Sequence, residues 1–583
     1  MNDKQLTGYP SIDKPWLKYY PKSVFDLKPQ ECTVYRGVYN NNKDYPNDTA
    51  LLYFGKKIAF GKLFDEVEKC AKALRNIGIK EGDCVTLCTA GVPEAVYIVL
   101  ACSKIGALAN FINPLFTTEQ MIDRINDTGA EWIFILDEMY SYIEKALSDT
   151  CVKNAVIIPV YNSMPEPVKI ALSIKGKTRE VLKAMPSYKL MVWNDFLKSG
   201  EKFTGSTESD YKKDTPVIMV YSSGTTGASK GIVLTNEGVS ASILDSASDK
   251  FPFERGYKFL QMIPVWFSTG IVLSVLMPLT LGITVIPEPV FNTKSFVKDL
   301  LKYKPQMTLV ATSIWLSAIL DKDFEKADLS CMKYPMTGGE KVIESSEREI
   351  NSFLKEHGCD TSILKGYGMC ELGGKVSDSI AFRKGEKLGS VGTPMIGVTV
   401  SAFDIDTNKE LKYGEHGEIR VNSPGRMKEY YKNMKATAEF FHTDNNGVVW
   451  GCTGDIGYID EDGVIFVLGR ATDNAILDSG RKVYLFDIEE IILQNNAVSG
   501  CKVVSVKKND RTILAAHMTL KDDLADTEKE KLAKELHDLC KQRLYSDEVP
   551  QMYKFRDAFP VHSNGKRDNG ALIAETEGFI LID

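Results

Sequence analysis

Of all the segments in the chain, VIMVYSSGTTGASKG, from Val217 to Gly231, is the one whose residue types most clearly suit chemistry. An apolar run empties into a loop in which Ser222, Ser223, Gly224, Thr225, Thr226, Gly227, Ser229, Lys230 and Gly231 are small, hydroxylated, flexible or cationic. Glycines let backbone N–H groups converge on an anion, hydroxyls add donors and a lysine supplies charge, which together are the requirements for holding phosphate oxygens. The loop departs from the Walker form: Ser229 stands before Lys230 where glycine is needed, and Gly231 follows where Ser or Thr is needed. The same composition also suits an ordinary surface turn.

Four later segments are of the same kind. TGGEK begins at Thr337, and GYGMCE at Gly366 puts an aromatic ring, Tyr367, four residues before a carboxylate, Glu371. GCTGDIGYID contains Thr453, Gly454 and Asp455; an ionised Asp accepts only, with room for two donors. FPVHSNGKRDNGAL, from Phe559, carries Lys566 in an Asn-Gly-Lys turn. Taken singly, each is as well explained by core packing or a solvated turn.

Taken in order over residues 50 to 572, they resemble the signatures of the adenylate-forming superfamily, which includes acyl-CoA synthetases, peptide-synthetase adenylation domains and luciferases. The resemblance implies ATP, Mg²⁺ and coenzyme A as cofactors and substrates. It places Ser222, Ser223, Gly224, Thr225, Thr226, Gly227 and Lys230 around the ATP phosphates, and Gly338, Gly339 and Glu340 along the adenine. Gly366, Tyr367 and Gly368 would carry the ring that stacks on adenine, with Glu371 and Thr226 at the metal. Cys370 stands where the family has Thr, and a thiol is a weaker donor to the adenylate phosphate. Asp455 would accept both ribose hydroxyls and Arg470 would reach the same ribose. Lys566 would be the catalytic lysine.

GRATDNAILDSGRKVYLFDIEE, from Gly469, is similar to the family's interdomain hinge motif, one residue longer than expected between Arg470 and Gly480. Counting from Gly480 gives Asp473 as the hinge, and counting from Arg470 gives Thr472; a charged hinge residue is the family habit, which favours Asp473. Gly480, Lys482 and Tyr484 would face the thiol after domain rotation. The chain ends soon after Lys566, so no attached carrier domain is expected: CoA is the first choice of acceptor and a separate carrier protein the second.

PVWFSTG, from Pro264, sets Trp266 and Phe267 where the family has an aromatic residue and His. Amino-acid-activating relatives follow that aromatic with an Asp that pairs the substrate ammonium, whereas this chain has Ser268. A buried ammonium without a partner is costly, so an α-amino acid is disfavoured. Trp266, Phe267 and the apolar ATSIWLSAIL run with Trp315 fit a hydrophobic acyl or aryl carboxylate, with fatty acid first and aryl acid second. They equally suit a core. A catalytically silent ligand-binding relative stays open, on Cys370, Phe267 and the irregular hinge spacing.

The elements that must position these residues follow from periodicity. Helical patterns at Leu63 to Ile77 and Glu94 to Lys104 alternate with apolar runs from Cys84, Ala109, Glu131, Val217, Tyr257, Ile283 and Gln306. Strands alternating with helices imply crossover units and largely parallel sheets covered on both faces. Gly270 to Ile286 predicts a buried helix stopping near Pro278, a glycine turn and a core strand, rather than a membrane span. Beyond residue 385 short strands and Gly-, Asp- and Asn-rich turns take over. From Gly500 the pattern reads strand, Asn509-Asp510 turn, strand, acidic linker and amphipathic helix. The expected fold is α/β: a body of stacked, mostly parallel sheets over 1–469, a β-rich subdomain over 385–469, and a small mobile α+β lid over 470–583.

Composition limits the alternatives. The 583 residues carry 71 basic and 78 acidic side chains, a net charge of −7, with no basic block that would mark nucleic acid or an anionic membrane. The N-terminus has no secretory pattern, so a cytoplasmic enzyme without an integral membrane segment is expected. The 12 cysteines and 6 histidines show no C-x-x-C, H-E-x-x-H or mixed cluster, which points to reduced structural thiols rather than zinc.

Overall fold

Apolar runs become interior strands here because both of their faces are buried. In the computed structural model, eight strands form one sheet in the order Glu429–Tyr430, Gly231–Thr235, Pro216–Tyr221, Leu108–Phe111, Cys84–Cys88, Trp132–Leu136, Asn154–Ile158 and Lys189–Val192. All neighbours from Pro216–Tyr221 to Lys189–Val192 are parallel, and the first two strands run antiparallel at the edge. A nine-stranded sheet has the parallel centre Leu364–Tyr367, Tyr334–Gly338, Met307–Val310, Lys258–Gln261, Thr284–Pro287 and Thr49–Tyr53. The residues described are 6–183, 186–222, 229–247, 253–289, 292–382, 384–385, 387–508, 511–560 and 568–582, excepting the side chains of Lys175, Ser246 and Ala247.

Alternation along the strands stacks the two sheets. Phe134, Leu136, Ile218 and Val220 point into a core shared with Leu51, Phe259 and Val285 of the other sheet. Ile133, Ile135, Met219 and Tyr221 point outward beneath Thr118–Thr128 and Tyr140–Leu147. Leu260 and Val310 point the other way, beneath Thr293–Tyr303, Thr312–Ile319 and Glu344–Glu356. Between the sheets lies Pro93–Ile105, buried along its whole length, which explains why its sequence lacks a polar face.

The helix expected to stop near Pro278 ends at Thr280, just past the proline. Thr269–Leu276 is π-helical and continues through Met277–Thr280 before Gly282 turns at φ +73° into Thr284–Pro287. The Met277 N–H reaches back five residues to the Val272 carbonyl, and this wider turn accommodates the proline ring that would clash in a tighter one. Among the described residues no helix is long and apolar enough to cross a membrane.

Thr399–Phe403, Gly417–Asn422, Val449–Ile459, Phe441–Thr443 and Ile465–Arg470 form an antiparallel five-stranded sheet. Its last hairpin is set by Asp460, whose carboxylate accepts from the Asp462 and Val464 amides, with Gly463 at φ +82°. Further on, Val498–Lys508 pairs antiparallel with Arg511–Leu520, which runs parallel to Met552–Phe555. Leu485–Ile492 and Asp526–Lys541 cover that sheet and close a separate core around Ile488, Val503, Met518, Leu536 and Tyr553. Phe486 joins the two parts by packing on Ile456 and Leu468, so near that a Cβ on Gly469 would lie 2.3 Å from its ring. The expected Asn509-Asp510 turn lies outside the described residues.

None of the twelve cysteines forms a disulfide. Burial pushes the thiols of Cys84 and Cys88 up to about 12, which keeps them protonated and inert.

Candidate active site

The carboxyl ends of the parallel strands open into a cavity of about 1510 Å³, the position at which open α/β sheets hold ligands. Tyr221 and Ser222, Leu309 and Ala311, Met336 to Glu340 and Leu364 to Glu371 reach it from successive strands, and Thr453, Gly454 and Arg470 from the antiparallel sheet. Backbones converge closely where glycine allows. A Cβ on Gly368 would lie 2.3 Å from the Gly374 carbonyl oxygen, and one on Gly338 would lie 3.0 Å from that of Gly366.

One polar cluster joins the two kinds of sheet. Asp455 and Arg470 face each other across their hairpin, with Arg470 Nε 3.0 Å from Asp455 Oδ1. Arg470 also donates to the Thr453 carbonyl at 3.0 Å. Tyr367, the last residue of Leu364–Tyr367, donates its hydroxyl to Asp455 Oδ2 at 2.6 Å. Burial, then the Asp455 charge, holds the Tyr367 phenol well above its ordinary value, so it remains a donor. Nearby, Glu340 is held by the Ser313 amide at 3.1 Å and its hydroxyl at 3.0 Å.

A second cluster surrounds Glu371, whose carboxylate accepts from the Tyr430 hydroxyl at 2.9 Å while its backbone carbonyl accepts from Met427 at 2.7 Å. Lys230 sets its ammonium 4.9 Å from the centre of the same Tyr430 ring. The Ser222 hydroxyl accepts from the Lys230 amide at 3.0 Å, and the Lys230 carbonyl from the Ser222 amide at 3.0 Å, which ties the two ends of the Gly-rich loop together. Of the carboxylates lining the cavity, Glu371 shares Tyr430 with Lys230 at the foot of the Gly-rich loop, and one carboxylate there suits Mg²⁺, which takes its remaining ligands from phosphates and water. Among the described residues no group of three or more His, Cys, Asp or Glu could hold a metal instead.

Tyr430 escapes sequence reasoning. Its short strand Glu429–Tyr430 pairs with Gly231–Thr235, the strand leaving the phosphate loop, and so bridges that loop to Glu371. The only local signal is the EYY triplet, which reads as a generic aromatic edge. A hydrogen bond to a charged group contributes about 1.5–3 kcal/mol. Tyr430→Phe is therefore expected to raise the KM for magnesium ATP on the order of tenfold with the thermal midpoint little changed, checked by titrating Mg²⁺ at fixed ATP.

Other expected site residues distribute as follows. Trp266 and Phe267 line the cavity with Ile263, Leu273, Leu309 and Met336. Ser268 does not: it is fully buried at the start of Thr269–Leu276. Trp315 is also core, because Thr312–Ile319 turns Ile314 toward the cavity and Trp315 behind the sheet, where its indole N–H donates to the Met336 carbonyl at 3.2 Å. Cys370 lines the cavity. Asp473 accepts from Lys502 at 2.6 Å, and Lys502 also pairs with Glu489 at 3.0 Å. Gly480, Lys482 and Tyr484 lie on the ribbon Asn474–Ile476 and Lys482–Tyr484, away from the cavity, with Tyr484 stacked 5.1 Å from Phe486. Ser223, Gly224, Thr225, Thr226, Gly227 and Lys566 lie outside the described residues.

Fold and site together define an enzyme that works on a nucleotide. Family models agree: that of the AMP-binding enzyme matches residues 38–431 and that of the AMP-binding enzyme C-terminal domain matches residues 487–566. The chain belongs to the AMP-binding enzyme family, and it is an AMP-forming acid–thiol ligase. Among similar proteins, the long-chain-fatty-acid–CoA ligase of Bacillus subtilis (strain 168) is 26% identical over 559 residues, covering 95% of this chain and 96% of that one. A probable 4-coumarate–CoA ligase 3 of Dictyostelium discoideum is 26% identical over 522 residues, covering 88% and 90%. In fold, the chain resembles the anthranilate CoA ligase AuaEII in complex with anthranoyl-AMP, with a TM-score of 0.78, 21% identity and coverage of 94% and 98%.

Proposed function

We propose that the protein activates a hydrophobic carboxylic acid, with fatty acid the favoured class, to an acyl adenylate and passes the acyl group to the thiol of CoA. The observation that carries this is one cavity with three walls. Tyr367 and Arg470, with Asp455 bonded to both though itself outside the lining, suit a ribose; Ser222, Lys230, Tyr430 and Glu371 suit phosphates; Trp266, Phe267, Leu273 and Met336 suit an apolar acid. The ligases of similar sequence named for long-chain fatty acids support the choice.

The chemistry needs both steps. A thiolate cannot usefully displace oxide from a carboxylate, so the acid first attacks the α-phosphorus in line and pyrophosphate leaves. Lys230 and the loop Ser222 to Gly227 hold the β- and γ-phosphates, Glu371 with Thr226 orients the metal side, and Lys566 reaches the bridging oxygen between carboxylate and α-phosphate. Mg²⁺, held by Glu371, would supply neutralisation of phosphate charge. The CoA thiol then attacks the acyl carbonyl and AMP departs.

Between the steps a C-terminal lid, residues 470–583 against a body of 1–469, rotates and turns Gly480, Lys482 and Tyr484 to the thiol. Arg470 is bonded to Asp455 of the body and Asp473 to Lys502 of the lid, which supports a dihedral change in the two residues joining them, Ala471 and Thr472. Asp473 would then mark the lid side of the hinge. We assign the enzyme to the cytoplasm.

The test is carboxylate-dependent ATP–pyrophosphate exchange over a panel of acids, with CoA-thioester formation followed in parallel. Exchange and thioester formation that rise with apolar chain length are expected. Exchange without thioester would move the acceptor to a separate carrier protein, and no exchange with any acid would make the chain a silent relative.

A further inference from the structure

One apolar surface is left uncovered. In the helix Glu166–Lys175 and at the end of the short helix Lys177–Val181 that follows it, Val168, Ile170, Leu172, Ile174 and Leu182 are 41%, 59%, 37%, 59% and 41% exposed. Single exposed apolar side chains are ordinary, but a cluster along one segment marks an interaction surface. Basic residues border it: Lys169, Lys177, Arg179 and Lys183 outnumber Glu166, Glu180 and Glu138, the last paired with Lys177 at 3.6 Å, locally reversing the −7 net charge of the chain. That reversal is invisible in the chain-wide count.

The segment is fastened beside the cavity. Thr178 donates its hydroxyl to Asp137 Oδ2 at 2.5 Å, and Lys177 donates to the Glu138 carbonyl at 3.2 Å. Directly after Asp137 and Glu138 in the chain, Met139 and Tyr142 line the cavity, as does Leu115; Tyr142 is 59% exposed and Leu115 41%.

We propose that this helix docks the enzyme on an anionic lipid bilayer, its apolar residues entering the acyl boundary and its basic residues meeting the headgroups. Its purpose rests on the reading above that the substrate is a hydrophobic acid, since such an acid is held in bilayers and would reach the Tyr142 side of the cavity without crossing bulk water. The surface fits a bilayer better than a second copy of an acidic chain because its charge opposes lipid phosphate.

The experiment uses the full chain and extruded vesicles of phosphatidylcholine with and without phosphatidylglycerol, separated by sedimentation. Wild type is expected to sediment with the anionic vesicles, less so at high salt. Ile170→Asp with Ile174→Asp, and separately Lys169→Glu with Lys183→Glu, are each expected to lower the bound fraction several-fold. Exchange activity on a short, water-soluble acid should stay unchanged, which reports intact folding. Equal binding by wild type and variants, or none to either vesicle, overturns the proposal. So does a concentration-dependent dimer that the Asp variants abolish, which would give the face to a second copy. Vesicle binding without exchange on any acid would leave the docking standing and remove the activity reading instead.

Discussion

Lys566→Ala is expected to lose acyl-adenylate formation while keeping the thioester half-reaction. A carboxylate approaching the α-phosphorus brings anion against anion, and the negative charge on the bridging oxygens grows as pyrophosphate departs. A cation fixed at that point stabilises the transition state more than the separated reactants, which is the condition for raising kcat. Removing one such donor typically lowers the rate on the order of 10²–10³-fold. Lys566→Arg should recover only part of the loss, because a planar fork does not replace a point charge on a flexible stem. The proposed rotation withdraws Lys566 before the second half-reaction, so on that proposal consumption of supplied acyl adenylate by CoA should proceed near the wild-type rate. Measuring both half-reactions separates this role from misfolding: full pyrophosphate exchange in the alanine variant would sink the assignment, and parallel loss of both halves would point to the lid as a whole.

How far the sequence discloses this site depends on the distance over which each contact acts. The stacked parallel sheets are legible because a strand buried on both faces has to be apolar throughout, as Cys84–Cys88 and Trp132–Leu136 are. The pairing of Asp455 with Arg470 is only half legible: the tight turn around Asp460 and Gly463 sets Ile459 opposite Ile465, but a register shift between Ile456 and Gly457 moves the partner of Asp455 from Gly469 to Arg470. Tyr430 is not legible. Its role comes from pairing with a strand almost two hundred positions earlier, and no local pattern encodes that register. Trp315 misleads for the opposite reason: its apolar run serves both the cavity and the core, and only helix rotation decides which residue faces which. Pro278 reads as a stop, and the helix does end just past it, at Thr280, after the wide π-helical turn that accommodates the ring.

Asp455→Ala is expected to have the larger effect on ATP binding and a modest one on stability. The carboxylate already accepts from the Tyr367 hydroxyl at 2.6 Å and pairs with Arg470 at 3.0 Å, contacts that set its oxygens. Those contacts make it ready to accept two ribose hydroxyls without reorganisation. At about 1.5–3 kcal/mol for each hydrogen bond to a charged acceptor, losing both should weaken ATP affinity on the order of 10²–10⁴-fold. The folded state loses less: Arg470 is more than half exposed and finds water, while the buried Tyr367 hydroxyl left unpaired costs about 1–3 kcal/mol. Tyr367→Phe isolates that second term, since it removes the donor and leaves the acceptor, so its KM for ATP should rise far less than that of Asp455→Ala. Titration calorimetry with ATP, and with its 2′,3′-dideoxy analogue, decides the matter. The analogue should bind wild type and Asp455→Ala alike, because neither pair can form the ribose bonds; if wild type still binds the analogue as tightly as ATP, Asp455 does not read the ribose.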